Sequence, residues 1–225
     1  MTQPPNIWSG GSSGEKLKYL SDEQIEAFFK AVEAAEKPHV RTRDSCMFSL
    51  MLAYGLRCAE VPLIKLEHVR LRKDPERSEL FVTRVKRKRD KKTGREKPRG
   101  GRWYELSDKN RLLLVQWLRA RKRFKTAALS NSLFVTAMSG AIGLPTIYGL
   151  TVRYGKAAGF KAHPHMFRHT CGIRLAKAGR NAFAIQKRLG HVSVFSTQVY
   201  VELAGADRHE EDRRDDAALE GGEDL

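Results

Sequence analysis

Residues 163–203 read HPHMFRHTCGIRLAKAGRNAFAIQKRLGHVSVFSTQVYVEL. Pro164 suits the first position of a helix, where its missing N–H is not needed, and Gly179 suits the end of one. A helix opened there carries His165 and Arg168 three residues apart on one face. They lie close to an N-terminus whose free amides already favour an anion. Leu189, Gly190 and His191 end the next helix at a glycine, so His191 leaves from a turn, and Tyr200 follows nine residues later. A guanidinium, two imidazoles and a phenol are gathered in this one stretch.

The chain upstream reads as mainly helical. Ser21 with Asp22, Glu23 and Gln24 is a helix-capping pattern, and Ile25, Phe28, Phe29 and Val32 repeat at helical spacing. A second helix is expected from Thr42 to Tyr54, ended by Gly55, and a short third one from Arg57 to Ile64. Leu80 to Val85 reads as a strand and Arg102 to Leu106 as its partner, joined by the basic excursion VKRKRDKKTGREKPRGGRW. Ser107 caps a helix bearing Leu112, Val115 and Leu118, Pro145 starts another, and two short helices flank Gly190. The expected fold class is mainly α with a small antiparallel β-sheet (α+β). One domain is expected over residues 17–203, between a disordered arm (1–16) and an acidic tail (204–225).

Charge narrows the partner. The chain carries 42 Lys and Arg against 26 Asp and Glu, a net +16. Before Glu202 the balance is 39 to 16, or +23, so the folded body is more basic than the total. Such a surface attracts a polyanion through counterion release, and an RNA-binding module would do so equally. No run approaches the roughly 20 apolar residues of a membrane span, and a cytoplasmic, nucleoid-associated protein is expected. Cys46, Cys58 and Cys171 are odd in number and far apart, which reads as packing rather than a disulfide framework.

The run GLRCAEV places Arg57 just after a buried helix, with Glu60 one turn on to brace its side chain. His165, His169 and Cys171 could suggest zinc, but Arg168 between them repels a cation and no CxxC pair exists. His169 reads instead as a structural histidine of the core, and His163 as a surface or loop residue. Two arginines, two histidines, a basic hairpin and a tyrosine are the parts needed to attack a phosphodiester with a phenol.

These motifs resemble the catalytic domain of the tyrosine recombinase (phage integrase) family: Arg57 in a GLRxxE box, His165 to Arg168 in an HxxRH box, an LGH box at His191, then Tyr200. The likeness spans about residues 17–203, and the short length with HPHMFRHTCG is most similar to the fimbrial phase-variation recombinases. The resemblance implies that Tyr200 Oη attacks the scissile phosphate, expels a 5′ hydroxyl and leaves a 3′ phosphotyrosyl bond, with no metal, ATP or other cofactor. Arg57 and Arg168 would hold the nonbridging oxygens and stabilise the transition state. His165 would accept the tyrosine proton or bind phosphate, and His191 would donate to a phosphate oxygen. Glu60 would orient its cationic neighbours. The resemblance also implies a hairpin lysine that protonates the leaving oxygen, which falls at Lys86 by strand register, with Lys88 as the alternative. Arg84, Arg87, Lys88, Arg89, Lys91 and Lys92 are the candidate DNA contacts.

The expected activity is metal-independent site-specific recombination of double-stranded DNA. It would run as a tetramer on two sites, with DNA-bending accessory proteins and no membrane. A non-catalytic DNA-binding regulator of the same fold, or a type IB topoisomerase-like relaxing enzyme, would carry many of the same groups.

Overall fold

Ser21 caps the first helix, α1 (Asp22–Glu33), by accepting the Gln24 backbone N–H at 3.2 Å, while Gln24 Oε1 takes the Ser21 N–H at 3.1 Å. This reciprocal pair satisfies two of the free amides at the helix start. The structure is a computed structural model and describes residues 18–72, 78–85, 100–190, 194 and 197–205. Phe28 and Val32 of α1 are fully buried, on the apolar stripe read from the sequence.

The second helix, α2 (Pro38–Tyr54), starts at Pro38 rather than Thr42, because proline is accepted at a helix's first turn. It ends where expected, at Gly55, whose left-handed backbone (φ 59°) closes the helix. Met47, Phe48, Leu50 and Met51 all have 0% exposure, so α2 is the central rod. Around it pack α1, α3 (Asp108–Arg121) and α5 (Pro164–Lys177), with α4 (Leu144–Ala157) against α1. Phe28 meets Phe48 and Phe167 edge-on at 5.0 Å each, and Phe48 stacks on Phe167 at 5.3 Å. Such pairs contribute about 0.5–1.5 kcal/mol each beyond their buried area.

After Gly55 the expected short third helix forms as a 3-10 helix over Cys58–Leu63. Pro62 inside that segment has no N–H to offer an α-helical ladder. Among the described residues the sheet has three antiparallel strands in the order β1 (Val69–Arg70), β2 (Glu79–Thr83), β3 (Gly101–Glu105). Leu80 lies opposite both Val69 and Tyr104, and Leu80, Val82 and Tyr104 face the core. Strand β1 has only two residues, too few for an alternating pattern to announce it.

A second cluster holds the C-terminal helices. Asn181 caps α6 (Ala182–Leu189) by accepting the Ala184 N–H at 2.9 Å, and Gly190 (φ 67°) ends it. The last helix, α7 (197–205), buries Tyr200 and Ala204 against Cys171, Ile173 and Ala176 of α5 and Ile185 and Leu189 of α6. The entry to α1 is tied to the same region, since the Leu20 N–H donates to Thr170 Oγ1 at 2.8 Å and Asp22 pairs with Arg174. The architecture is the mainly helical one with a small antiparallel sheet that the sequence led us to expect. The three cysteines are free, with Cys46 and Cys171 buried and Cys58 half-buried.

Candidate active site

The site is organised by the C-terminal end of α6. A helix end leaves its last carbonyls without intrahelical partners and carries partial negative charge, so it collects cations. Three successive carbonyls are met by three arginines from other parts of the chain. Arg84 Nη2 donates to Arg188 O at 2.6 Å, Arg168 Nη2 to Leu189 O at 2.7 Å, and Arg57 Nη2 to Gly190 O at 3.1 Å. The Tyr104 hydroxyl also donates to Arg188 O, at 2.7 Å.

Glu60 holds two of these cations together. Its carboxylate is fully buried and takes Arg57 Nη1 at 3.0 Å on Oε1, Arg84 Nη1 at 3.1 Å on Oε2, and the Arg57 backbone N–H at 2.9 Å. Charge-assisted bonds of this kind are stronger than neutral ones and fix the planar guanidinium in orientation. Arg57 keeps 26% of its side chain exposed, whereas Arg84 keeps 13%. The hairpin reading groups Arg84 with the candidate DNA contacts; its guanidinium is turned inward, to Glu60, Tyr104 and Arg188 O. It leaves β2 at the strand end facing a buried carboxylate, which draws it in.

Arg168, on α5, is 4% exposed and bridges the ends of α2 and α6, with Nη1 donating to Gly55 O at 2.6 Å. Gly55 and Leu189 are packed so closely that a Cβ at Gly55 would lie 2.3 Å from Leu189 Cδ2. Arg168 thus uses two of the five N–H donors of a guanidinium on carbonyls, and the others can serve an anion. Burial, and then the neighbouring Arg57 and Arg84, pull its pKa down to about 10, which leaves it charged at neutral pH.

Tyr200 is 2% exposed, and its ring lies on α5 at Gly172, where a Cβ would come within 2.7 Å of Cδ2 and Cε2. Its hydroxyl sits 2.9 Å from His169 Nδ1. Burial pushes its pKa up to about 12, while the positive charges of Arg168 and Arg57 pull in the opposite direction. His169 is held down to about 4, by burial first and then by His165, His163 and Arg168. His165 stands exposed one turn nearer the start of α5, its ring 6.3 Å from that of His169.

The structure therefore brings together Arg57, Glu60, Arg168 and Tyr200 and places His165 on the adjoining turn. Lys86, Arg87, Lys88, Arg89, Lys91, Lys92 and His191 lie outside the described residues. His169, read from the sequence as a structural histidine bonded within the core, is half-buried with its Nδ1 against the hydroxyl of the buried Tyr200. Gly172, a glycine in the middle of a helix, was the sequence signal for this close approach of another group to α5.

The chain is similar to the tyrosine recombinase XerC of Psychromonas ingrahamii, 25% identical over 181 residues, which are 80% of this chain and 55% of that protein. It is also similar to the type 1 fimbriae regulatory protein FimB of Escherichia coli K12, 25% identical over 191 residues, 84% of this chain and 86% of that one. The chain thus spans little more than half the length of the XerC relative. The XerH site-specific recombinase bound to difH substrate, in its pre-cleavage complex, shares the fold with a TM-score of 0.65 at 21% identity, over 82% of this chain and 50% of XerH. The XerA recombinase does so with a TM-score of 0.66 at 24% identity, over 87% and 65%. The phage integrase family pattern itself matches residues 18–206, which contain every side chain of the site just described, and on that match the chain belongs to the phage integrase family.

Proposed function

We propose that this chain is a site-specific recombinase that cleaves and rejoins double-stranded DNA through a covalent phosphotyrosyl intermediate at Tyr200. The observation that carries the reading is that Arg57 and Arg168 are anchored on adjacent carbonyls at the end of α6, with the Tyr200 hydroxyl held 2.9 Å from Nδ1 of His169, the residue next to Arg168. In the reaction Oη bonds to phosphorus and the bond from phosphorus to the 5′ oxygen breaks. The phenolic proton leaves to a base, and His165 on the exposed turn either takes that proton or binds the phosphate. The departing oxygen takes a proton from a hairpin lysine, Lys86 or Lys88. The two arginines stabilise the charge that accumulates on the nonbridging oxygens, a contribution of about 3–4 kcal/mol for a single well-placed donor. His191 would donate a further hydrogen bond, and the basic hairpin, Arg87, Lys88, Arg89, Lys91 and Lys92, would follow the DNA backbone.

The phosphodiester's energy is kept in the phosphotyrosyl bond, so rejoining needs no nucleotide. Exchange between two sites uses four nucleophiles, and the working unit is a tetramer on DNA, with accessory proteins bending the sites. Incubation with supercoiled plasmid carrying DNA that flanks the gene tests this. SDS-resistant protein on DNA with site-dependent exchange is the expected result. Relaxation without a required site would make the chain a topoisomerase-like enzyme, and binding with no adduct would make it a regulator.

A further inference from the structure

The face of α5 that carries Tyr200 is a single stripe. Gly172 seats the ring, His169 lies one turn nearer the helix start with Nδ1 2.9 Å from Oη, and His165 lies one turn beyond that. The residue next to His169 is Arg168, whose guanidinium is anchored on Gly55 O and Leu189 O. One rigid helix thus fixes the direction of the phenol and the position of the guanidinium it must face. A phenol pivoting on Cβ moves its oxygen by several ångströms, and misplacement by about 1 Å at a reacting atom can cost roughly 10²-fold in rate.

We infer that His169 is a positioning residue for the strand-cleavage reaction, its Nδ1 accepting the Tyr200 hydroxyl hydrogen and holding Oη in line with Arg168. The inference rests on the recombinase reading above and adds to it a residue that the reading did not use. Geometry is the main support. The ring is half-buried and neutral at physiological pH, with burial and the surrounding His165, His163 and Arg168 disfavouring its cation, so Nδ1 is available as an acceptor with the hydrogen on Nε2. Tyr200 keeps its own proton under the same conditions and is a competent donor. Bulk alone would not select histidine: a phenylalanine fills the same space and has no lone pair to offer the phenol.

The test is single-turnover adduct formation at saturating DNA by the full chain and two variants, His169→Phe and His169→Asn. An asparagine Oδ1 replaces Nδ1 as acceptor at nearly the same distance from the backbone. His169→Phe is expected to form adduct on the order of 10²-fold more slowly with DNA affinity within about two-fold of wild type, and His169→Asn to recover at least about ten-fold of that loss. A DNA with sulfur at the 5′ bridging position, whose leaving group needs no proton, should not rescue His169→Phe, because the defect lies with the nucleophile. Nitrogen NMR of the free protein should show Nδ1 bare and Nε2 protonated, with the Nδ1 signal moving on Tyr200→Phe.

Wild-type rates in His169→Phe, an asparagine variant as slow as the phenylalanine one, rescue by the sulfur substrate, or a protonated Nδ1 would each overturn the inference while leaving the recombinase reading intact. A wild-type protein that forms no adduct would overturn that reading and the inference with it. If His169→Phe does not fold, the asparagine variant and the NMR signal still decide.

Discussion

Arg57 and Arg168 donate to adjacent carbonyls, Gly190 O at 3.1 Å and Leu189 O at 2.7 Å, although one follows α2 and the other lies in α5. Their guanidiniums are therefore neighbours, separated by one peptide unit of a helix end, and like charges at that separation repel. The helix-end dipole and the Glu60 carboxylate offset this repulsion. A phosphate would add the negative charge that the cluster lacks.

Glu60 is the counter-charge, and its removal tests that balance. Glu60→Gln leaves two guanidiniums beside a neutral amide in a buried site. Breaking a buried pair from one side costs about 3–5 kcal/mol, and the Arg57 exposure puts the expectation at the lower end, near 3 kcal/mol. Urea unfolding gives the number. An unchanged midpoint would mean that the carboxylate does not set the cluster's stability.

Arg168 needs a planar fork rather than a charge alone. Arg168→Lys keeps the cation, yet an ammonium cannot reach Gly55 O, Leu189 O and a phosphate together. Adduct formation is expected to fall on the order of 10²-fold with DNA affinity changed only a few-fold. Equal losses in cleavage and in affinity would make Arg168 a docking residue.

Gly172 seats the Tyr200 ring. Gly172→Ala puts a methyl 2.7 Å from the Tyr200 ring, closer than carbon atoms approach, so the ring must shift away from α5. Helix propensity favours the alanine by roughly 1 kcal/mol, so thermal stability should change little while adduct formation drops at least ten-fold. Full activity in this variant would show that the phenol does not work from this seat.

His169 gives a pH signature. Its folded pKa, about 4, lies below its unfolded value of about 6.5, so the unfolded chain binds a proton that the folded chain refuses. Stability is intact above pH 6.5 and is lost as pH falls from there toward 4. The contribution is about 2 kcal/mol at pH 5. Subtracting the pH profile of His169→Asn from that of wild type isolates it, and parallel profiles would contradict the burial of a neutral imidazole beside His165, His163 and Arg168.

Helix starts and stops were legible because each has a local chemical cause: Ser21 and Ser107 as side-chain caps, Pro164 at a first turn, Gly55 and Gly190 in left-handed backbone. The placement of Arg57 just after α2 and of Arg168 near the start of α5 was legible from those boundaries. What could not be read depends on partners far along the chain. Arg84 turns inward because Glu60, Tyr104 and Arg188 O meet at the end of β2, a fact of tertiary packing that a run of basic residues conceals. Strand β1 exists because β2 offers it an edge. The partner of His169, the Tyr200 hydroxyl 31 residues further along the chain, is likewise set by the packing of α7 on α5 and not by local sequence.

The most direct test of the central claim is to trap the protein on cleaved DNA, digest both components, and sequence the peptide that carries the nucleotide. The account predicts a phosphotyrosyl linkage at Tyr200, with Tyr200→Phe binding DNA as wild type does and yielding no linked peptide. A nucleotide attached to any other residue, or an adduct that persists in Tyr200→Phe, would contradict it.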